Sequence, residues 1–502
     1  MSDYSPTPEL RPLTPRMAEQ PLSAGRLARL RQATLTILEE VGVHVPSAKA
    51  REIFHGHGGV VGDDGVVRLP ADLVERAMAS APRSFVLGGR EPRLDLLLDG
   101  TRSYVCTTGV GVHVVDPVDG QLRPSRAEDI ARLARVCDGL PLVAFYWPLV
   151  SAQDHGLAAP LAECHAGLTN TVKHVRGGTT VRPALARYVV EMAQAVAGGA
   201  DGCRRRPPVC ANICTISPLA HDEHGLDCAL TYAAAGIPVS FMAMTTMGSV
   251  APASVVGALA QGDAEVVSGM VLLQLAFPGT PVMHSVLISL MDPATGGYIS
   301  ELAPPVDWLA TQVAHAWGVP CLGGGVVIGD EAGTGWVSGR RAGEGALLAH
   351  LAGSEICGFI GMAGGAMVQY PELLVLDCEA LELAAETMAA LEFDEADLAL
   401  DVIREVGPRG HYLKQRHTRE HLRANRVPVW ARLRGPTPDG AALADLATHA
   451  SRGLHPDAAR AAALEEYQRL ERDHHPAPLP ADVRRELDEL LAAADREAAH
   501  LV

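Results

Sequence analysis

Seven short apolar runs, each bounded by Gly or Pro, recur along the chain: "LPLVAFYWPLV" (140–150), "TVKHVRGG" (171–178), "PPVCANICT" (207–215), "IPVSFMAMT" (237–245), "TPVMHSVLI" (280–288), "VPCLGGGVVI" (319–328) and "EICGFIGMA" (355–363). Ala- and Leu-rich stretches of helical length, among them "RYVVEMAQAVA", "HGLDCALTYAAAG" and "EGALLAHLAG", stand between them. Continuous apolar runs suit strands covered on both faces, and strands alternating with helices form parallel sheets joined by crossover helices. A β-branched stretch, "SYVCTTGVGVHVVDPVDGQL", adds a strand over 104–115 and brings the count to eight. Eight such units predict an α/β protein built on a TIM (β/α)8 barrel rather than an open doubly wound sheet. In a barrel the chemistry gathers where strands end and loops begin, so the residues after each run are the first candidates for a site.

The flanks set the domain boundaries. Residues 1–22 are Pro-rich and polar and are read as a flexible arm. Over 23–95, the apolar-periodic "AGRLARLRQATLTILEEVGV", the turn-rich "HGHGGVVGDDG" and a helix opened by Pro70 predict an N-terminal helical cap. The barrel then spans 96–434, and 435–502 is a charged helical extension whose His474 and His475 are read as solvated. A chain of 502 residues, 48% hydrophobic and 20% charged, can build a large packed core. Its formal charge of -17 argues against nucleic acid or an anionic membrane as a partner, since either would require a basic face. The N-terminus carries no apolar leader and no apolar stretch is long enough to span a membrane without polar interruption, so a cytoplasmic protein is expected. Ten cysteines without repeated CxxC pairs are read as reduced thiols.

Three clusters are candidates for chemistry. In "CLGGGVVIGDE" the consecutive Gly323, Gly324 and Gly325 weaken a strand, which asks for a compensating reason. A large flat ligand that approaches closer than a Cβ allows is one; a bulge or tight chain crossing is the other. Asp330 and Glu331 follow at once and are the candidate catalytic carboxylates of the barrel mouth, with solvated loop residues as the alternative. In "CANICTISPLAHDEH" the side chains of Cys210, Cys214, His221 and His224 make a zinc site conceivable, although the spacing is not that of a zinc finger and buried thiols are common. In "GPRGHYLKQRHTREH" His417 and His421 stand at i and i+4, close enough to share a metal, with His411 reachable only by loop folding. No metalloprotease glutamate follows His417, so the expectation is that none of these histidines binds metal.

Ordered stretches of the chain resemble the trimethylamine methyltransferase family of corrinoid-protein methyltransferases. They are "ILEEVGVHV", "LVERAMASAPRSFVLGGREP", "GLTNTVKH", "SPLAHDE", "APASVVGALAQGDAEVVSGMVLLQLAFPGTPV", "LLVLDCE" and the segment "DVIREVGPRGHYLKQRHTREHLR", which together cover residues 23–434. The resemblance implies a TIM barrel that moves a methyl group from an amine-type donor to the Co(I) of a corrinoid (cobalamin) on a small partner protein, and no tightly bound cofactor of its own. It implies that Gly323, Gly324 and Gly325 lie where the corrin must come close, with His411 and His417 as organising residues near that interface. A homo-oligomer is expected on the same ground.

Some members use pyrrolysine on methylamines, and this chain shows none. Members without it are associated with quaternary amines such as glycine betaine, whose leaving group is a neutral amine. A cation of that kind is held by aromatic faces. Tyr146, Trp147, Tyr298, Trp308, Trp336 and Tyr370 lie at strand ends or in loops and supply candidates, the binding set being Tyr146, Trp147, Tyr298, Trp336 and Tyr370; packing is the alternative for each. The segments "GGYISELAPPVDW" and "SEICGFIGMAGGAMVQYPE" depart from the family pattern. They keep two alternatives open: a small-molecule-binding or regulatory barrel, and a methyltransferase with a non-amine donor.

Overall fold

A computed structural model describes residues 4–15, 20–109, 111–177, 182–299, 303–325, 333–389, 395–424 and 458–501. Seven strands follow one another in parallel: β1 (Tyr104–Thr107), β2 (Val143–Tyr146), β3 (His174–Arg176), β4 (Val209–Ile216), β5 (Val239–Met247), β6 (Val282–Met291) and β7 (Ile356–Ile360). Their order in the sheet is β7-β1-β2-β3-β4-β5-β6, every neighbouring pair parallel. Between the two ends of that row, parallel bridges join His284 to Cys321 and Leu322 to Ile356. The apolar runs of the sequence are these strands, and of the 319–328 run the two bridging residues carry the pairing.

Helices return the chain between strands: α1 (Ala127–Gly139), α2 (Ala159–Asn170), α3 (Pro183–Ala197), α4 (Glu223–Ala235), α5 (Val255–Ala276), α6 (Ala303–Trp317), α7 (Trp336–Ala352) and α8 (Pro371–Ala389). Local chemistry starts them where the sequence permits. Asp222 precedes α4 and accepts from Gly225 N at 2.6 Å, which satisfies one of the free N–H groups of the first turn. The helix α5 is apolar on all sides, and such a helix must be buried on all sides. It is the one helix among the described residues long and apolar enough to cross a membrane, and it packs instead between β5, β6 and the N-terminal helices Ala24–Thr36 and Ala71–Met78. Two carboxylates on it are buried and fully occupied. Asp263 accepts from Thr34 Oγ1 at 2.5 Å and Trp317 Nε1 at 3.0 Å and bonds His284 Nε2 at 2.9 Å, while Glu265 accepts from Thr215 Oγ1, Ser217 Oγ, Leu219 N and Gln261 Nε2 at 2.6–3.0 Å. Hydrogen-bonded carboxylates of this kind tie elements together at little desolvation cost.

Two apolar layers result. One lies between strands and helices, and the other lies on the opposite face of the strands, where Tyr104, Cys106, Phe145, Cys210, Met242, Met283, Leu322 and Ile356 meet. A hairpin of Phe85–Leu87 and Leu96–Leu98 covers the inner layer beside the strand starts, with Leu97 N donating to the Tyr104 hydroxyl and Gly88 O facing His174 Nδ1. What remains for a ligand is the opposite end, where the strands finish.

The termini correct two expectations. The described part of the arm, residues 4–15, is fastened rather than free. Leu13 exchanges backbone hydrogen bonds with Ser103, Ser5 N donates to His475 O, and buried Thr7 donates to Asp138. His474, read as solvated, is buried with Nε2 at 2.7 Å from Asp138 Oδ2. The helices Ala458–Asp473 and Ala481–Ala498 lay Tyr467, Leu487 and Ala494 onto the helices that flank the sheet, so the described part of the extension is a structural layer.

Candidate functional site

Successive residues of a strand face opposite ways, and this separates the two aromatics at the end of β2. Tyr146 faces outward against α1, where its hydroxyl donates to Ile130 O at 3.0 Å. It is a packing residue, which corrects its reading as part of a cation cage. Trp147 faces inward. Its backbone is clamped by Thr107, whose Oγ1 accepts from Trp147 N at 2.8 Å and donates to Trp147 O at 2.6 Å. The indole meets Phe359 edge-on at 5.9 Å between centroids, a favoured aromatic geometry.

On the indole face lies Arg176, the last residue of β3, with Cζ 3.3 Å from the ring centroid and 1% of its surface exposed. Its Nη2 reaches Ser240 Oγ at 3.5 Å, and its Nη1 is buried with no hydrogen-bond partner. Ser240 in turn donates to Asn212 Oδ1 at 2.6 Å, and Asn212 Nδ2 faces Cys214 Sγ at 3.6 Å. Burial pushes the guanidinium down to about 10, partly opposed by the thiols of Cys210, Cys214 and Cys106, so it stays charged at neutral pH. Burial also pushes the Cys106 and Cys210 thiols up to about 12, which keeps them neutral. His174, two residues earlier on the same inward face, is pushed down to about 4 by burial and is neutral too. The strand ends therefore present one rigid aromatic plate, one cation, hydroxyl, amide and thiol groups, and, among the described residues, no carboxylate that acts on Arg176.

The remaining candidates are dispersed. Asp330 and Glu331 lie outside the described residues. Tyr298 belongs to a short strand, Tyr298–Ile299, paired by its backbone to Met291 at the end of β6. Trp308 is partly buried on α6, Tyr370 is partly buried before α8, and Trp336 is 83% exposed on α7. Among the described residues, the ring against Trp147 is Phe359. The glycine run is accounted for by packing. Gly324 and Gly325 have φ of +82° and +67°, and a Cβ would strike Ser354 at the first and the backbone of Ala349 on α7 at the second. Only at Gly323 would a Cβ meet nothing closer than 3.7 Å.

The metal alternatives do not assemble. Cys210 lies in the inner apolar layer beside Arg176, whereas His221 turns outward to Ser268 Oγ at 2.7 Å and His224 is exposed. His417 and His421 stack at 3.9 Å on the helix Arg416–Ala424, with His411 exposed before it. Among the described residues no group of three or more His, Cys, Asp or Glu is placed to hold a metal ion.

Comparison with known proteins places the whole chain. A family model described as trimethylamine methyltransferase (MTTB) matches residues 4–498. Trimethylamine methyltransferase MttB of Desulfitobacterium hafniense is 31% identical over 406 residues, which are 79% of this chain and 80% of the relative. The glycine betaine methyltransferase of the same species is 29% identical over 409 residues, 80% of this chain and 84% of the relative. Among solved structures, the monomethylamine methyltransferase of Methanosarcina barkeri overlays 92% of each chain at 13% identity with a TM-score of 0.42.

Proposed function

The chain belongs to the trimethylamine methyltransferase family, and from that premise we propose that it moves a methyl group from a quaternary, glycine-betaine-like amine to the Co(I) of a corrinoid carried on a small partner protein. The barrel reading is part of this proposal: seven parallel strands and the bridges at Cys321 and Leu322 supply eight staves, and Trp147 and Arg176 stand at their finishing end. The observation that carries the donor class is the chemistry of that end. A quaternary ammonium leaves as a neutral amine and needs no proton, and among the described residues no carboxylate acts on the guanidinium that lies on the Trp147 face. A neutral methylamine would have to leave as an anion, a cost that a quaternary donor avoids.

The corrinoid supplies the nucleophile that takes the methyl group. The chain's own part is to hold the ammonium and aim one methyl outward, since orientation of the reacting pair carries much of such a displacement. Trp147, fixed by Thr107 and flanked by Phe359, supplies the aromatic surface; a cation on such a face gains about 1–2 kcal/mol when desolvated. Gly324 and Gly325 are occupied by Ser354 and Ala349 and do not fit an open corrin cradle, so no step is drawn through them. His411 and His417 remain proposed for the face that meets the partner, on a segment that also exposes Tyr412 and Leu413. Asp330 and Glu331 remain proposed at the mouth. A cytoplasmic homo-oligomer fits the same reading.

The test is spectroscopic. With cob(I)alamin under anaerobic, reducing conditions, methylcobalamin should form from glycine betaine or another quaternary amine and not from mono- or dimethylamine. Formation from no quaternary donor at any concentration would remove the proposal.

The two aromatics of β2 should also separate. Tyr146→Phe should lower stability by about 1 kcal/mol, the worth of one buried hydrogen bond, and leave the donor KM unchanged. Trp147→Leu should raise that KM roughly tenfold through loss of the cation–aromatic contact. Equal effects of the two substitutions on KM would contradict the inward and outward assignment.

A further inference from the structure

Arg176 is a buried cation whose Nη1 has no hydrogen-bond partner among the described residues. A guanidinium presents five N–H donors in a planar fork, and here one of them has a 3.5 Å contact to a neutral hydroxyl while Nη1 has none. Buried charges are ordinarily paired, because desolvation without a counter-charge is among the costliest arrangements a fold can keep. The buried carboxylate of Asp129 follows that rule, bound by the partly buried Arg123 and Arg132. Among the described residues, the acidic groups that act on Arg176 are three neutral thiols. The Trp147 face holds the guanidinium plane from one side and leaves its edge free.

We infer that Arg176 is the receptor for the carboxylate of the methyl donor. The fork matches two carboxylate oxygens, and Trp147 fixes its plane. The inference rests on the donor class proposed above and narrows it from quaternary amines in general to those carrying a carboxylate. Ser240, held by Asn212, sets the guanidinium from the β5 side and acts as a positioning residue. A bound betaine would place its anion on Arg176 and its ammonium farther along the inner wall, where Phe359 joins Trp147. The same arrangement rejects donors without an anion, since they would leave the buried cation unpaired.

The test uses binding to the full chain without any corrinoid, measured by calorimetry. Three ligands separate the groups: glycine betaine, choline with the same ammonium and no carboxylate, and 3,3-dimethylbutanoate with the carboxylate and no charge on the other end. Wild type should bind glycine betaine and 3,3-dimethylbutanoate and should bind choline at least tenfold more weakly than glycine betaine. Arg176→Gln should weaken glycine betaine on the order of a hundredfold, the usual result of removing one partner of a buried charge pair, and should abolish the preference over choline. Without ligand, Arg176→Gln should melt no lower than wild type, because it removes an uncompensated buried charge; a structural arginine would lower the melting temperature. Arg176→Lys, which keeps the charge and loses the fork, should fall between the two.

Equal binding of glycine betaine and choline by wild type overturns the inference without recourse to any variant. So does unchanged glycine betaine binding in a folded Arg176→Gln protein. Carboxylate binding that depends on Arg176, in a protein that forms no methylcobalamin from any quaternary amine, would instead remove the methyltransferase reading and leave the anion site standing.

Discussion

Gly325→Ala should unfold the protein under conditions where the parent chain is folded, with a loss of about 2–5 kcal/mol. Two effects add. The backbone there has φ +67°, where an L side chain costs about 1–2 kcal/mol. The added methyl would also lie 2.5 Å from Ala349 Cα, inside the α7 backbone, and overpacking against an element that cannot yield costs a further 1–3 kcal/mol or so. A neighbouring substitution provides the control. Gly339→Ala, on α7 with nothing within 4 Å of the new methyl, should raise stability by roughly 0.5–1 kcal/mol through helix propensity alone. Urea unfolding of the two variants beside the parent decides the matter. A Gly325→Ala midpoint equal to the parent's would mean that α7 does not press on this residue and would return the glycine run to the ligand.

That glycine shows where reading a sequence stops. Three glycines in a strand announce a close approach, but whether the approaching body is a ligand or another part of the chain depends on α7, which is folded against them. The strands were legible because apolar runs between Gly and Pro are local signals, and all seven runs carry strand pairing. Their phase was not legible. When both faces of a strand are buried no polar alternation marks the inner side, so Tyr146 and Trp147 looked equivalent although one faces α1 and the other the barrel. Arg176 left a trace in "TVKHVRGG": an arginine closing an apolar run just before a glycine pair has no structural reason to be there. Its significance depends on the absence of a partner, and partners are visible only in three dimensions. Phe359, Asn212 and Ser240 were missed for the same reason, as each is an ordinary strand residue until the strands are set side by side. His474 was misread because its partner Asp138 is 336 positions away.

Asp138 is where that long-range closure can be measured. Its buried carboxylate gathers Thr7 Oγ1 at 2.5 Å, His474 Nε2 at 2.7 Å, Thr171 Oγ1 at 2.7 Å and Val172 N at 2.8 Å, so one side chain ties the N-terminal arm, the C-terminal extension and the entry to β3. Beside it buried Lys173 donates to Cys137 O and Leu140 O at 2.8 and 2.7 Å. Asp138→Ala should cost about 3–5 kcal/mol, because it strands several buried donors and leaves the lysine without its counter-charge. Asp138→Asn should recover little of this, since one of the two paired acceptor oxygens becomes a donor facing other donors.

The pH dependence separates charge from packing at this site. Burial alone would raise the Asp138 carboxyl, but His474, Lys173, Thr7 and Thr171 outweigh it and hold the group below its ordinary value. A depressed carboxyl contributes stability that is fully present above the unfolded value of about 3.9 and is lost as pH falls through the folded value. The parent should therefore lose stability in acid more steeply than Asp138→Ala. On the alkaline side, burial pushes Lys173 down to about 8, partly opposed by Asp138. Without Asp138 the Lys173 value falls further, so the variant sheds its unpaired buried ammonium at lower pH than the parent does, and above about 8 the amine is neutral in both proteins and still donates to its two carbonyls. The stability gap between parent and variant should accordingly narrow as pH rises from 7 toward about 8 and hold constant above it in urea unfolding. A gap of constant size across that interval would assign the whole cost to lost hydrogen bonds and show that Asp138 does not act as the counter-charge of Lys173.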